Sequence, residues 1–217
     1  MIRGVFFDLD GTLVNSLADI AAAVNGALEE LGLPVFPEED YRHKAGNGIR
    51  KLCQRALPAG REELLEDLIA SYRRRYGENC RERTRPYAGA EELLEALREA
   101  GLKTAVITNK PADQTARVMT LFRENAVDLV FGQHEPFPVK PDPKSFFHVA
   151  ETLGLRPEEV VYCGDSDVDI FFAHNAGALG AGCLWGFRGR AELEAAGADL
   201  LAADPDELKT RLLALTK

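Results

Sequence analysis

Asp8 and Asp10 stand one residue apart, where the apolar run Val5-Phe6-Phe7 gives way to Leu9, Gly11, Thr12 and Leu13. The run is short and rich in strand-forming residues and reads as a buried strand ending in two carboxylates. Positions i and i+2 of an extended chain face the same way, so both acids can look into one pocket. Like charges held that close repel and resist desolvation, and the simplest compensation is a divalent cation. Gly11 frees the backbone to turn, and Thr12 adds a hydroxyl and a helix cap. Taken alone, an Asp-x-Asp pair is more often an exposed acidic turn, so its meaning depends on what other strand ends carry.

Three further stretches carry chemistry. Val106-Ile107-Thr108-Asn109-Lys110 ends a second apolar run with a hydroxyl and an amide. Phe137-Pro138-Val139-Lys140-Pro141-Asp142-Pro143 sets Lys140 among prolines, and a lysine so restrained loses little extra entropy on meeting an anion. Val160-Val161-Tyr162-Cys163-Gly164 leads straight into Asp165, Asp167 and Asp169. Each has a plainer explanation: Thr108 and Asn109 as caps, Lys140 as a solvated lysine, the three acids as a helix N-terminal cluster. The acids lack the glycine and the distant glutamate of an EF-hand loop. Acids, hydroxyl, lysine and acids at successive strand ends are nevertheless too many to be separate accidents.

The elements that must position them follow from periodicity. Helical spacing over 15–31 stops at Gly32; shorter helices are expected over 38–43 and 49–57, with Gly46-Asn47-Gly48 as the elbow between them, and a long one over 62–76. No strand is expected between Leu13 and Arg85, so residues 15–85 read as a helical insertion. Beyond the linker Pro86-Tyr87-Ala88-Gly89 the rhythm changes. Strands are expected over 103–108, 129–131, 160–163, 179–184 and near Leu200, and helices over 90–100, 111–124, 143–153, 167–175 and 204–215. Such alternation predicts an α/β fold, a doubly wound parallel sheet with an inserted all-helical cap. Residues 1–14 and 86–217 would form the core and 15–85 the cap. Ligands of such sheets bind beyond the carboxyl ends of the strands, where these residues fall.

Composition bounds the partners. The chain has 217 residues, 46% hydrophobic and 28% charged, with a formal net charge of −9. That balance argues against nucleic acid or an anionic membrane as partner, and says less about phosphate esters, because a local cation or metal can reverse the field in one cleft. Cys53, Cys80, Cys163 and Cys183 are scattered without a Cys-x-x-Cys pair, so neither a disulfide framework nor a zinc site is expected. The first strand begins almost at once, leaving no room for a signal peptide, and no apolar run approaches the roughly 18 residues of a membrane helix. A cytoplasmic protein, monomeric or homodimeric, is the expectation.

Together the motifs resemble the haloacid dehalogenase superfamily: Asp8-Leu9-Asp10-Gly11-Thr12 as motif one, Thr108 as motif two, Lys140 as motif three, and Gly164-Asp165-Ser166-Asp167-Val168-Asp169 as motif four. The insertion resembles the type 1 cap. Ala45-Gly46-Asn47-Gly48, Thr108-Asn109-Lys110-Pro111 and Trp185-Gly186-Phe187-Arg188-Gly189 are most similar to the phosphoglycolate phosphatase group. The resemblance implies that Asp8 is the nucleophile, forming an aspartyl-phosphate, and that Asp10 protonates the leaving alcohol and then activates water. It implies that Thr108 and the Asn109 backbone hold phosphoryl oxygens and that Lys140 offsets charge. Magnesium would be bound by Asp8, the Asp10 carbonyl and Asp165, with Asp169 orienting a metal-bound water or Lys140; Asp167 occupies a variable position.

Dehalogenating relatives lack the second aspartate, since a halide needs no proton, so Asp10 points to phosphate esters. A β-phosphoglucomutase-type phosphomutase or a pyrophosphatase shares both aspartates and remains an alternative. A receiver-like phospho-acceptor module would need neither cap nor Asp10. The substrate is expected to be a small phosphorylated metabolite of the 2-phosphoglycolate kind, with Gly46, Asn47 and Gly48 approaching its leaving group. Arg42, Lys44 and Arg50 are candidates for a carboxylate, although exposed helix charges are the commoner explanation. His43 and Arg73-Arg74-Arg75 read as surface.

Overall fold

The computed structural model describes residues 1–216. In chain order it contains β1 (Gly4–Phe7), β2 (Val14–Asn15), α1 (Leu17–Glu30), α2 (Tyr41–Lys44), α3 (Ile49–Ala56), α4 (Leu65–Asn79), β3 (Arg85–Pro86), α5 (Ala90–Glu99), β4 (Lys103–Pro111), α6 (Ala112–Met119), β5 (Leu129–Gln133), α7 (Lys144–Thr152), β6 (Val160–Gly164), α8 (Asp167–Ala176), β7 (Leu179–Cys183), α9 (Arg190–Ala195), β8 (Leu200–Ala202) and α10 (Pro205–Ala214). Six strands form one parallel sheet in the order β5-β4-β1-β6-β7-β8.

Strand β1 lies at the centre and is buried throughout, as a strand covered on both faces must be. Val5 and Phe7 pack with Leu94 and Leu97 of α5 and Leu208 and Leu212 of α10. Phe6 points the other way, among Phe146 and Val149 of α7 and Phe172 of α8, its ring centroid 5.3 Å from that of Phe146. The alternation of one short strand therefore fixes both helical layers. Because β1 is flanked by β4 on one side and β6 on the other, the sheet order reverses at β1, and a crevice opens at its carboxyl end.

The helical cap, α1 to α4, packs α1 against α4, and its Leu28, Leu52, Leu68 and Tyr72 join the same apolar cluster as Val5 and Phe7. One hydrophobic core thus runs from sheet to cap. The expectation of no strand between Leu13 and Arg85 is corrected: β2 and β3 pair antiparallel, Val14 opposite Pro86 and Asn15 opposite Arg85. Two residues per strand are too few to leave a periodic signature, and the pairing joins positions seventy residues apart in sequence terms. The buried Asp19 carboxylate secures the same hinge. It accepts from the amides of Arg83 and Thr84 and from the Thr84 hydroxyl at 2.7–3.0 Å.

Other boundaries moved for local reasons. Strand β4 runs to Pro111, whose extended backbone (ψ 145°) makes it the residue before α6 rather than its first turn, and α6 ends at Met119, short of the expected Glu124. The short helix α9, Arg190–Ala195, was not expected. Cys53, Cys80, Cys163 and Cys183 are buried free thiols. Among the described residues no helix is long and apolar enough to cross a membrane.

Candidate active site

The Asp8 amide donates to the Cys163 carbonyl at 2.9 Å, so Asp8 is still held in the sheet beside β6. The chain then turns, and Leu13 and Val14 both donate to the Leu9 carbonyl at 3.0 Å. Asp8 and Asp10 therefore start from one strand end but reach different partners.

Asp8 is buried, and its Oδ1 has only the Lys140 ammonium, 3.0 Å away, with no hydrogen bond of its own. Burial pushes the Asp8 carboxyl up from 3.8 to about 6; Lys140 opposes that rise, and the nearby charge of Asp169 adds to it. Lys140 is buried too and lies against three oxygens: Asp8 at 3.0 Å, Asp169 at 2.7 Å and the Tyr162 hydroxyl at 2.8 Å. Tyr162 in turn donates to the Ile107 carbonyl at 2.6 Å, which fixes the direction of its lone pairs. Burial by itself disfavours the ammonium and is the largest influence, but Asp169 and Asp8 together outweigh it, and the Lys140 pKa lies above the ordinary lysine value. Lys140 stays a cation.

Although β5 is an edge strand, the loop after it swings back to the centre. Asn109 does this: its Oδ1 accepts from the Lys140 amide at 2.7 Å. Its Nδ2 reaches the cap, donating to the Gly46 carbonyl at 3.1 Å. Asn109 is thus not a helix cap but a clamp between the lysine loop and the cap elbow. The Thr108 hydroxyl accepts from the Lys110 amide at 3.3 Å, and Thr108 is buried beside Asp8 at the end of the same sheet edge.

Asp165 and Asp169 come from the turn after β6. Asp169 is fully committed: Oδ1 to Lys140, and Oδ2 to the Ser166 amide and hydroxyl at 3.0 and 2.7 Å, the reciprocal cap of α8. Asp165 accepts from the Phe187 amide at 2.7 Å and from Thr12 at 3.3 Å, and burial pushes its carboxyl well up, with Asp169 and Asp8 adding to the effect. Gly11, at φ +88°, and Gly186 press against it, so that a Cβ at either would sit 2.4 or 2.2 Å from an Asp165 atom. Asp167 only caps its own helix, through the Val168 amide.

Asp8, Asp165 and Asp169 each bring one oxygen within 4.8 Å of the others. Three buried carboxylates with one lysine, which pairs with Asp8 and Asp169, leave an excess of negative charge, and Asp8, whose Oδ1 is bond-free, belongs to that cluster. With Asp169 saturated, Asp8 and Asp165 are the side chains that suit a hard divalent cation.

Asp10 lies outside the cluster. Both its oxygens accept from Lys110, at 2.8 and 2.7 Å, and Oδ1 also accepts from Ser16 at 2.6 Å. Lys110 reaches further, to the Tyr76 hydroxyl of α4 at 2.6 Å.

A cavity connects Asp8, Asp10 and Thr108 with the cap, where Gly46, Gly48, Ile49, Leu52 and Tyr72 close it. Asn47 lies in the same elbow, between Gly46 at φ +103° and Gly48 at φ +83°. The cap cations do not line the cavity. Arg42 pairs with Glu39 and donates to the Gly186 carbonyl at 3.1 Å, the Lys44 ammonium sits 4.3 Å from the centre of the Phe36 ring, and Arg50 pairs with Glu66 at 2.6 Å. His43 is exposed but engaged by Arg188, which also donates to the Ala45 carbonyl at 3.1 Å. Of the basic run, Arg74 and Arg75 pair with Glu30.

Sequence reading missed Tyr162, Ser16, Tyr76 and Gln114. Tyr162 could have been found as the polar residue in an otherwise apolar strand; Tyr76 shows no such signal, because it reads as one more apolar position of an amphipathic helix.

The family described as haloacid dehalogenase-like hydrolase matches residues 5–182. The chain belongs to the haloacid dehalogenase-like hydrolases. It is 39% identical over 194 residues to a phosphoglycolate phosphatase of Mannheimia succiniciproducens, covering 83% of this chain and 85% of that one. It is 34% identical over 187 residues to a phosphoglycolate phosphatase of Aquifex aeolicus, covering 86% of each. A predicted phosphoglycolate phosphatase from Haemophilus somnus superposes with a TM-score of 0.87 at 31% identity, over 100% of this chain and 98% of that one. This haloacid dehalogenase-like hydrolase is an enzyme of the phosphatase kind, not a phospho-acceptor module.

Proposed function

We propose that the protein is a magnesium-dependent phosphatase that hydrolyses a small phosphorylated metabolite of the 2-phosphoglycolate kind through an aspartyl-phosphate on Asp8. The observation that carries this reading is the division between the two aspartates: Asp8 is buried with a bond-free oxygen against Lys140, while Asp10 is held apart by Lys110 and Ser16. One carboxylate suits attack and the other proton transfer.

The Asp8 oxygen forms a bond to phosphorus as the ester oxygen leaves, and Asp10 gives that oxygen its proton. In the second half Asp10 takes a proton from the water that attacks the phosphorylated Asp8, and phosphate departs. Thr108 and the Asn109 backbone hold phosphoryl oxygens, and the Lys140 ammonium balances the charge that gathers on them. Asp169 and Tyr162 keep Lys140 aimed at Asp8. Asp8 and Asp165, with the main-chain carbonyl of Asp10, would hold magnesium. When bound, the ion supplies positive charge that draws the anionic ester toward an anionic nucleophile.

The cap, residues 15–85 as read from the sequence, sets the substrate by closing the cavity over the leaving group. Gly46, Asn47 and Gly48 bring backbone close to it, and Ile49, Leu52 and the Tyr72 ring close over it, an arrangement that suits a small group. The relatives named for phosphoglycolate support that substrate class.

Phosphate release from p-nitrophenyl phosphate with magnesium, compared between the native enzyme and Asp8→Asn, tests the reading. Loss of turnover in Asp8→Asn is expected, and turnover retained would remove Asp8 as nucleophile.

A further inference from the structure

Gln114 lies in the first turn of α6 and lines the same cavity as Asp8 and Asp10. Its side chain is buried, with only 3% of the residue exposed, and its Oε1 has no hydrogen-bond partner. Among the described residues only one other buried side-chain atom is in that position, Oδ1 of Asp8, which belongs to the carboxylate cluster. A buried amide without a partner is worse for folding than a leucine of similar size, so the folded state alone gives no reason for a glutamine here.

The surroundings say what the amide faces. The cap side of the cavity is largely apolar, formed by Ile49, Leu52 and the Tyr72 ring, with Ile20 beside them, and the Tyr72 hydroxyl is its polar group. At the phosphoryl end stand Asp8, Asp10 and Thr108. Away from that end, polar side chains come from the core side: Asn109, engaged with Gly46 and the Lys140 loop, Lys110, engaged with Asp10 and Tyr76, and Gln114, whose Oε1 is left without a partner. The amide oxygen and nitrogen exchange places by a half-turn about the terminal torsion, so the unpartnered position can present an N–H as readily as a carbonyl.

We propose that Gln114 is a specificity residue whose amide N–H hydrogen-bonds a carboxylate oxygen on the leaving group of the substrate. The proposal rests on the phosphatase reading and adds to it the reason for choosing a small hydroxy-acid ester. The selecting donor then comes from the core, at the start of α6, and not from the cap residues Arg42, Lys44 and Arg50.

The test compares 2-phosphoglycolate with ethyl phosphate, which has no carboxylate, in the native enzyme and in Gln114→Leu. The native enzyme is expected to prefer 2-phosphoglycolate. Gln114→Leu should lose about tenfold to a hundredfold in kcat/KM on it, the worth of one hydrogen bond to a charged oxygen, and change little on ethyl phosphate. Its melting temperature should be equal to or above that of the native protein. Glycolate, tested as a ligand alone, should raise the melting temperature of the native protein and not of Gln114→Leu, which probes the subsite without turnover. Equal losses on both esters with a lower melting temperature would make Gln114 structural and overturn the proposal. So would an unchanged ester preference together with an undiminished glycolate shift. If the native enzyme cleaves neither these esters nor p-nitrophenyl phosphate, the phosphatase reading fails, and the glycolate shift still decides on Gln114.

Discussion

Lys110 binds both carboxylate oxygens of Asp10, at 2.8 and 2.7 Å, from the tip of β4 a hundred residues along the chain. Its remaining donor goes to Tyr76 of the cap, whose ring centre is 4.5 Å from the ammonium. The residue proposed as the proton carrier is thus tied to core and cap together, through a lysine whose side chain is 3% exposed.

Lys110→Met should therefore act on folding and on chemistry. Removing one partner of a largely buried ion pair costs about 3 kcal/mol, and here less, because Asp10 is partly exposed and keeps Ser16. A misplaced Asp10 should slow alkyl phosphates about tenfold to a hundredfold and p-nitrophenyl phosphate far less, since a phenolate leaves without help. Tyr76→Phe should show the same pattern more weakly. Urea unfolding and kcat on the two ester types measure both effects, and equal losses on the two esters would count against Asp10 as the acid.

The raised pKa of Asp8 makes stability depend on pH when no metal is bound. Between its ordinary 3.8 and about 6, folded Asp8 keeps a proton that the unfolded chain has lost. The folded state binds more protons there, so stability falls as pH rises through that window, by about 3 kcal/mol in all, and levels off above it. Deprotonated Asp8 is also the form that can hold magnesium. The rise in melting temperature caused by magnesium over EDTA should then be small at pH 5 and larger at pH 7.5; the same rise at both would show that Asp8 is already ionised in the metal-free protein.

Asp19 carries no proposed chemistry, yet its four hydrogen bonds to Arg83 and Thr84 hold the returning strand of the hinge. Asp19→Ala would strand buried backbone donors and should cost about 3 kcal/mol of stability. The cavity does not include Asp19, so kcat of the folded fraction should change little. Guanidinium titration followed by an assay below the transition separates the two; a large loss of kcat in fully folded protein would mean that the hinge also sets the closed position of the cap.

What could be read in advance follows from which residues carry a local signal. Asp8, Asp10, Thr108 and Asp165 each follow or end an apolar run and Lys140 stands among prolines, and the parallel sheet brings run ends to one edge, so pattern and topology together account for their lying near one another. Asn109 was expected to contribute its backbone, but its side chain clamps the Lys140 loop and Gly46, a pairing over sixty residues that no local pattern encodes. Lys110 was visible as a charge at a strand tip, but not its choice of Asp10 over solvent. Arg42, Lys44 and Arg50 stood as candidate carboxylate ligands against the commoner explanation of exposed helix charges, because sequence says nothing about Glu39, Phe36 and Glu66, which take them. The ribbon of β2 and β3 was hidden by its length.

Gly186 shows how closely Asp165 is placed. A Cβ there would lie 2.2 Å from the Asp165 Cβ and 2.5 Å from the Gly11 carbonyl, and backbone on one side leaves no direction for either to yield. The adjacent Phe187 amide, which donates to Asp165 at 2.7 Å, would have to move with it. Gly186→Ala should therefore displace the Asp165 carboxylate and its donor together. If Asp165 holds magnesium, the concentration of magnesium giving half-maximal activity should rise about tenfold to a hundredfold, as when the support of a metal ligand is removed. The side-chain partners that hold Asp10, Lys110 from β4 and Ser16 ahead of α1, do not come from the Asp165 turn, so activity at saturating magnesium should largely recover. Magnesium titrations of phosphate release in both proteins give the answer: a lowered plateau with an unchanged midpoint would place the damage in the reaction itself and take Asp165 out of the metal site.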